Sequence, residues 1–128
     1  MPEGNLMPSG VQPHPPNATA ELWIKRLERH YAIQERSALN SLLREQGQLP
    51  GLLMEAVPHL RKWFGDRPLH LRVSDAEEEI ALRASVVWPG ALEPAEEALR
   101  AFDADWWLAN CAKSDGYLVF DFELVDGV

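Results

Sequence analysis

Apolar residues recur at intervals of three and four early in the chain: Trp23 or Ile24, Leu27, Tyr31, Ala38, Leu39, Leu42 and Leu43. That spacing lays one apolar stripe along a helix, with Lys25, Arg26, Glu28, Arg29, Glu35 and Arg36 on the solvated side. Thr19 is the N-cap candidate, because its hydroxyl can accept a free backbone N–H. The repeat weakens from Gln34 to Ser37, which predicts one bent helix or two shorter ones, and Gly47 suits the C-terminal cap. Leu52, Leu53, Ala56, Val57, Leu60 and Phe64 form a second helical face, opened by Pro50 in its first turn. Pro58 lies inside that pattern and should kink or split the helix, since it donates no N–H and crowds the carbonyl four residues back.

The period then drops to two. Leu69, Leu71 and Val73 alternate with His70, Arg72 and Ser74; beyond the acidic turn at 75–79, Ile80, Leu82, Ala84 and Val86 alternate with Ala81, Arg83, Ser85 and Val87. Two such runs joined by a short polar loop predict a hairpin with one buried face. Trp88-Pro89-Gly90 closes it. Glu93-Pro94-Ala95-Glu96-Glu97 opens a third helix, with proline in its first turn and carboxylates at the positive end of the helix dipole. Ala95, Leu99, Phe102, Trp106 and Ala109 form its stripe. Trp107 falls about 100° from Trp106 at 3.6 residues per turn, which places Trp106 in the core and Trp107 at the sheet edge or the first helix. Ser114-Asp115-Gly116 turns the chain into a last strand from Tyr117 to Val125, with Leu118, Phe120, Phe122 and Leu124 inward.

The expected fold is α+β with element order ααββαβ. A crossover helix makes the third strand parallel to the second, and the first strand between them pairs antiparallel with both. The expectation is thus a three-stranded antiparallel sheet of spatial order 2-1-3, a split β-α-β unit, with the helices on one face and the other face open.

At 128 residues the chain holds one domain, and 46% apolar with 25% charged residues is the balance of a folded one. Residues 1–16 carry five of the ten prolines, which excludes helix or sheet interior and predicts a disordered Pro-rich tail before a domain over 17–128. Pro13 to Pro16 also has the composition of a polyproline II ligand. The single cysteine, Cys111, excludes an intramolecular disulfide, fits a reducing compartment, and with no apolar run long enough for a membrane predicts a cytoplasmic protein. A net charge of −8 without basic runs disfavours nucleic acid.

The Phe102-Asp103-x-x-Trp106-Trp107-Leu108 string resembles a signature of small bacterial proteins, frequent in cyanobacteria, whose C-terminal halves run as hairpin, helix and strand. The helix start at Leu49-Pro50 and Pro58 before Phe64 are similar too. The resemblance spans about residues 20 to 125 and implies a fold type and a bacterial, intracellular origin; the family carries no established activity, so it implies no reaction.

Three places could carry function. Trp106-Trp107 offers aromatic area for a ligand wall or a partner, with Trp107 and Asp103 as its candidate residues. The plainer reading is that helical periodicity already buries one ring. Asp103 and Asp105 could act as an acid–base or metal pair, but two residues apart on a helix they point about 200° from each other. The open sheet face should present His70, Arg72, Arg83, Ser85, Tyr117, Asp121 and Glu123, with Val87, Val119 and Val125 as apolar patches. Order 2-1-3 places Arg72 between Arg83 and the acidic last strand. Cross-strand ion pairs explain such a face, and so does a platform for a partner or an anion.

His14, His30, His59 and His70 lack metal-ligand spacing, and no phosphate-loop, dinucleotide or nucleophile-elbow motif is present. No catalytic residue, metal or cofactor is therefore assigned. The sequence reads as a small interaction module, of adaptor, chaperone-like or immunity type, that meets another protein through its open sheet face or its first helix and is compatible with a homo-oligomer. The alternative is a small-molecule-binding domain or weak enzyme with a pocket near Trp107.

Overall fold

A computed structural model of the chain describes residues 16–74 and 82–125. The expected tail, apart from Pro16, and the acidic turn at 75–79 lie outside the described residues. Helix α1 spans Pro16–Leu27, so it starts before Thr19, and it buries Ala20, Ile24 and Leu27 on one face. The chain then does what the helical spacing concealed. Tyr31–Ile33 is a strand, β1, and Arg36–Glu45 is a separate helix, α2. Tyr31 is 2% exposed and donates its hydroxyl to the carbonyl of Leu53 at 2.8 Å. Burial pushes the Tyr31 phenol far up, so the ring stays a neutral donor. Only two residues separate β1 from α2, and Glu35 makes the turn in the left-handed region at φ 57°, a conformation that costs a non-glycine residue about 1–2 kcal/mol. The C-cap of α2 is Gln46, and Gly47 is not among the glycines with positive φ.

Helix α3 runs without a break over Leu49–Phe64, with Pro50 in its first turn and Leu52, Leu53, Ala56, Val57, Leu60 and Phe64 buried. Pro58 does not split it. The proline sits on the exposed side, where water can satisfy the carbonyl that it leaves without a donor. Gly65, at φ 84°, caps the helix by donating its N–H to the carbonyl of Arg61 at 3.0 Å.

The molecule is α+β, but its sheet differs from the expected one. β2 is Leu69–Val73, β3 is Leu82–Pro89 and β4 is Leu118–Val125, and the order is β1-β2-β3-β4. The sheet is therefore four-stranded and mixed, not three-stranded and antiparallel. β1 pairs parallel with β2, β2 antiparallel with β3, and β3 parallel with β4. The hairpin expectation holds for β2 and β3. The 2-1-3 order fails because β3 itself holds the centre. It is the strand with buried residues on both sides, Leu82, Ala84 and Val86 on one and Ser85 on the other, as a central strand requires. Helix α4 then joins β3 to its direct neighbour in a simple β-α-β unit. The edge of β2 that order 2-1-3 would have used is taken by β1.

Helix α4 spans Leu92–Phe102 and buries Ala95, Ala98 and Phe102. Over Asp103–Trp107 the helix widens to π geometry, and the N–H of Leu108 reaches back five residues to the carbonyl of Asp103. It returns to α geometry over Leu108–Asn110 and tightens to a 3-10 turn at Cys111–Ser114. One extra residue in a turn shifts everything after it by about 100° relative to an uninterrupted α-helix. Two successive tryptophans then share the core face: Trp106 and Trp107 are each 8% exposed, whereas Ala109, expected in the stripe, is exposed. Trp107 meets Phe120 edge-on at 4.7 Å, Phe102 meets Phe120 at 5.1 Å, and the two indoles stack at 5.8 Å. Burying two indoles removes a large apolar area from water, which more than offsets the cost of one wide turn.

Candidate functional site

The helices cover one face of the sheet. Its other face carries Ala32 from β1, His70 and Arg72 from β2, Arg83, Ser85 and Val87 from β3, and Val119, Asp121, Glu123 and Val125 from β4. The register sets His70, Ser85 and Asp121 in one row across the sheet, and Arg72, Arg83 and Val119 in the next. Ser85 donates to Oδ1 of Asp121 at 2.6 Å, and the Arg83 guanidinium pairs with Oδ2 of the same carboxylate. His70 reaches over β3 to place Nδ1 3.2 Å from Oε1 of Glu123. That bridge roofs the row beneath it. Ser85 consequently lies only 3% exposed on a face that carries no helix.

The expected positions of these residues need one correction. With β3 in the centre, Arg83 stands between Arg72 and the acidic strand, and the ion pair is Arg83–Asp121. Arg72 lies directly opposite Arg83 and is exposed. Tyr117 precedes β4; its ring is half-buried and packs against the core cluster, outside the Arg83–Asp121–Ser85 network. Val87 and Val119 are half-buried and Val125 is 41% exposed, so apolar ground borders the polar rows.

The expected ligand wall is a different matter. Trp107 is packed on Phe120 and Trp106, and Asp103 is half-buried with its carboxyl pushed upward by desolvation. Three clefts, of about 520, 330 and 240 Å³, lie around α1, α2 and the start of α3, and neither Trp107 nor Asp103 lines any of them. The widest is polar, with Glu21, Arg36, Asn40 and Arg44 in its walls. One of those arginines, Arg36, is already paired with Glu28.

A second side-chain cluster escaped the sequence reading. Asp105 leaves the π turn toward α3, where Oδ2 accepts from the Trp63 indole at 3.1 Å and lies 2.9 Å from Nδ1 of His59. Lys62 adds a contact at 3.8 Å to the other oxygen. The His59 ring stacks on Trp106 at 5.5 Å, 17° from parallel. The hydrogen bonds from His59 and Trp63, followed by the Lys62 charge, hold the Asp105 carboxyl below its usual range. His59, Lys62 and Trp63 are three and four residues apart on one side of α3, and that spacing was the signal available in the sequence. These contacts clamp the π turn to α3.

Among the described residues no helix is long and apolar enough to cross a membrane, and no group of three or more His, Cys, Asp or Glu could hold a metal ion. No protein-family model matches the chain, and comparison with curated proteins and with solved structures finds none that is similar.

Proposed function

We propose that the chain is a small protein-interaction module whose partner surface is the open face of the sheet. The observation that carries this reading is the ordered polar layer on that face. Arg83, Ser85 and Asp121 are locked together, and His70 and Glu123 bridge across them, so the surface is rigid before any partner arrives. Preorganised groups lose little freedom on association, which is where affinity is usually lost. Exposed Arg72 at one end of its row and the half-buried Val119 at the other put a charged contact and apolar ground on the same face, the mixture found at non-obligate interfaces. The partner is another protein, and the module acts as an adaptor, a chaperone-like subunit or an immunity-type factor within a bacterial cytoplasm.

A photo-crosslinking amino acid at Val87 or Val119 tests this in the native host, with Leu22 on α1, 57% exposed, as the control position. The expected result is the same crosslinked protein, other than a second copy of this chain, from both sheet positions and none from Leu22. Arg72→Glu, which disturbs no described ion pair, should weaken that complex by about tenfold or more while circular dichroism stays unchanged. Equal labelling from all three positions, or indifference to Arg72→Glu, would sink the assignment.

A further inference from the structure

The sheet has two edges, and they are finished differently. On one side β1 contributes three residues. On the other, β4 exposes a long edge: it is paired along its whole length by β3, and no described element pairs with its outer side. The carbonyl of Tyr117 accepts from the N–H of Leu82 on the β3 side at 2.9 Å. Backbone alternation therefore turns the N–H and C=O of Leu118, Phe120, Phe122 and Leu124 outward. Natural edge strands are blunted by charged side chains (lysine above all), proline, bulges or brevity. Leu118–Val125 has no proline or lysine; its two charges, Asp121 and Glu123, are held by Arg83 and His70 on the open face, and it ends in two exposed apolar residues, Leu124 at 47% and Val125 at 41%.

We propose that two copies of this chain join through β4, antiparallel, about a two-fold axis perpendicular to the sheet, to give one continuous eight-stranded sheet. The strand is self-complementary in this arrangement, because residues facing one another across the axis always belong to the same face. Charge then excludes three registers, and of the rest the one centred on Phe120 pairs most of the strand. Centring the axis on Asp121 sets that carboxylate against itself. Centring it on Phe122 opposes Asp121 to Glu123 twice, and centring it on Glu123 repeats the self-clash. Like charges directly opposite are destabilising. Centring it on Phe120 removes every such pair between Tyr117 and Glu123. Phe120 then faces Phe120, Leu118 faces Phe122, and Val119 faces Asp121, with Tyr117, just before the strand, at the position opposite Glu123. The outward groups of Leu118, Phe120 and Phe122 are the ones that hydrogen-bond, and the helices of both copies stay on one side of the sheet. The open faces merge into a single surface twice as wide. This inference stands independently of what that face binds.

Sedimentation equilibrium of the full chain should give twice the monomer mass, with dissociation on dilution. Val119→Asp opposes carboxylate to carboxylate in the Phe120-centred register and should weaken the dimer by about tenfold or more; Val119→Lys should tighten it. A register test does not depend on those variants folding equally well. In a Cys111→Ser background, Tyr117→Cys with Glu123→Cys forms a non-hydrogen-bonded pair across the axis, where Cα atoms lie about 4.5 Å apart, within disulfide range. Mild oxidation should convert it to a covalent dimer, and Tyr117→Cys with Val125→Cys should remain uncrosslinked. A monomer at every concentration, or preferential crosslinking of the second pair, would overturn the proposal.

Discussion

Helix α3 contains a proline and stays α-helical from Leu49 to Phe64; the α4 helix contains none after its first turn and abandons α geometry at Asp103. Local backbone rules predict the reverse. The difference lies in what each turn must bury. Around Pro58 the core-facing positions are Val57 and Leu60, already correctly phased at three residues apart, and the proline itself faces water, so nothing is gained by changing the helix. Around Asp103 two adjacent tryptophans compete for one face. An α-helix would send one indole to the surface, and the widened turn keeps both against Phe120. Side-chain burial sets the backbone here, and the proline rule yields where water can take the lost bond.

The largest effect that breaks this comparison is expected from Trp107→Ala. It removes the ring that justifies the wide turn and leaves a cavity over Phe120, which should cost about 3–5 kcal/mol in urea unfolding. Near-UV circular dichroism should report the lost stacking of Trp106. An effect below about 1 kcal/mol would mean that the π turn has another cause.

Next comes Pro58→Ala, with the opposite sign. Proline in a helix interior is about 3 kcal/mol worse than alanine, partly offset because it also restricts the unfolded chain. The variant should be stabilised by about 1–2 kcal/mol, and a loss of stability would show that Pro58 shapes α3 after all.

The smallest effects belong to the two carboxylates of the π turn, and their signs differ. Asp105 has a folded pKa held below its ordinary value, so its stabilisation is fully present above the ordinary carboxylate range and is lost as pH falls through the lowered value. Asp103 has its pKa raised by desolvation, so ionising it works against the fold, and stability recovers as pH falls through the raised value. Asp105→Asn should lower stability at neutral pH and flatten its acid dependence; Asp103→Asn should raise it slightly. Matching signs for the pair in pH-resolved thermal melts would refute this account of the turn.

Much of the fold was legible in the sequence. The α3 face, the β2–β3 pairing and the inward Leu118 and Phe120 of β4 follow from period and polarity alone, whereas Leu124, expected inward, is 47% exposed. β1 was not, because Tyr31-Ala32-Ile33 is too short to show alternation, and Tyr31 falls four residues after Leu27, where a helix would also place it. Strand order was hidden for a different reason. The residue that reveals β3 as central is Ser85, a polar position made inaccessible by a His70–Glu123 bridge that no spacing rule contains. Of the candidate residues, Arg83, Asp121, His70 and Glu123 do meet on one face; Trp107 and Asp103 turn inward or aside. The Asp105–His59–Trp63 clamp joins residues distant in sequence through a turn of non-standard pitch, so the wheel of α3 shows His59, Lys62 and Trp63 on one side but not the carboxylate they meet.

The strand β1 also has a consequence in time. Val73 meets Leu82 across one short connection, but Tyr31 finds Leu69 only after two helices have intervened, and Leu82 finds Leu118 only after α4 and its π turn. Closing long loops before any contact rewards them slows such pairings. The hairpin is thus the part able to form first, and the two parallel strands are added to its flanks from opposite ends of the chain. As Tyr31 docks its hydroxyl onto α3, the early helices and the late sheet become one cooperative unit.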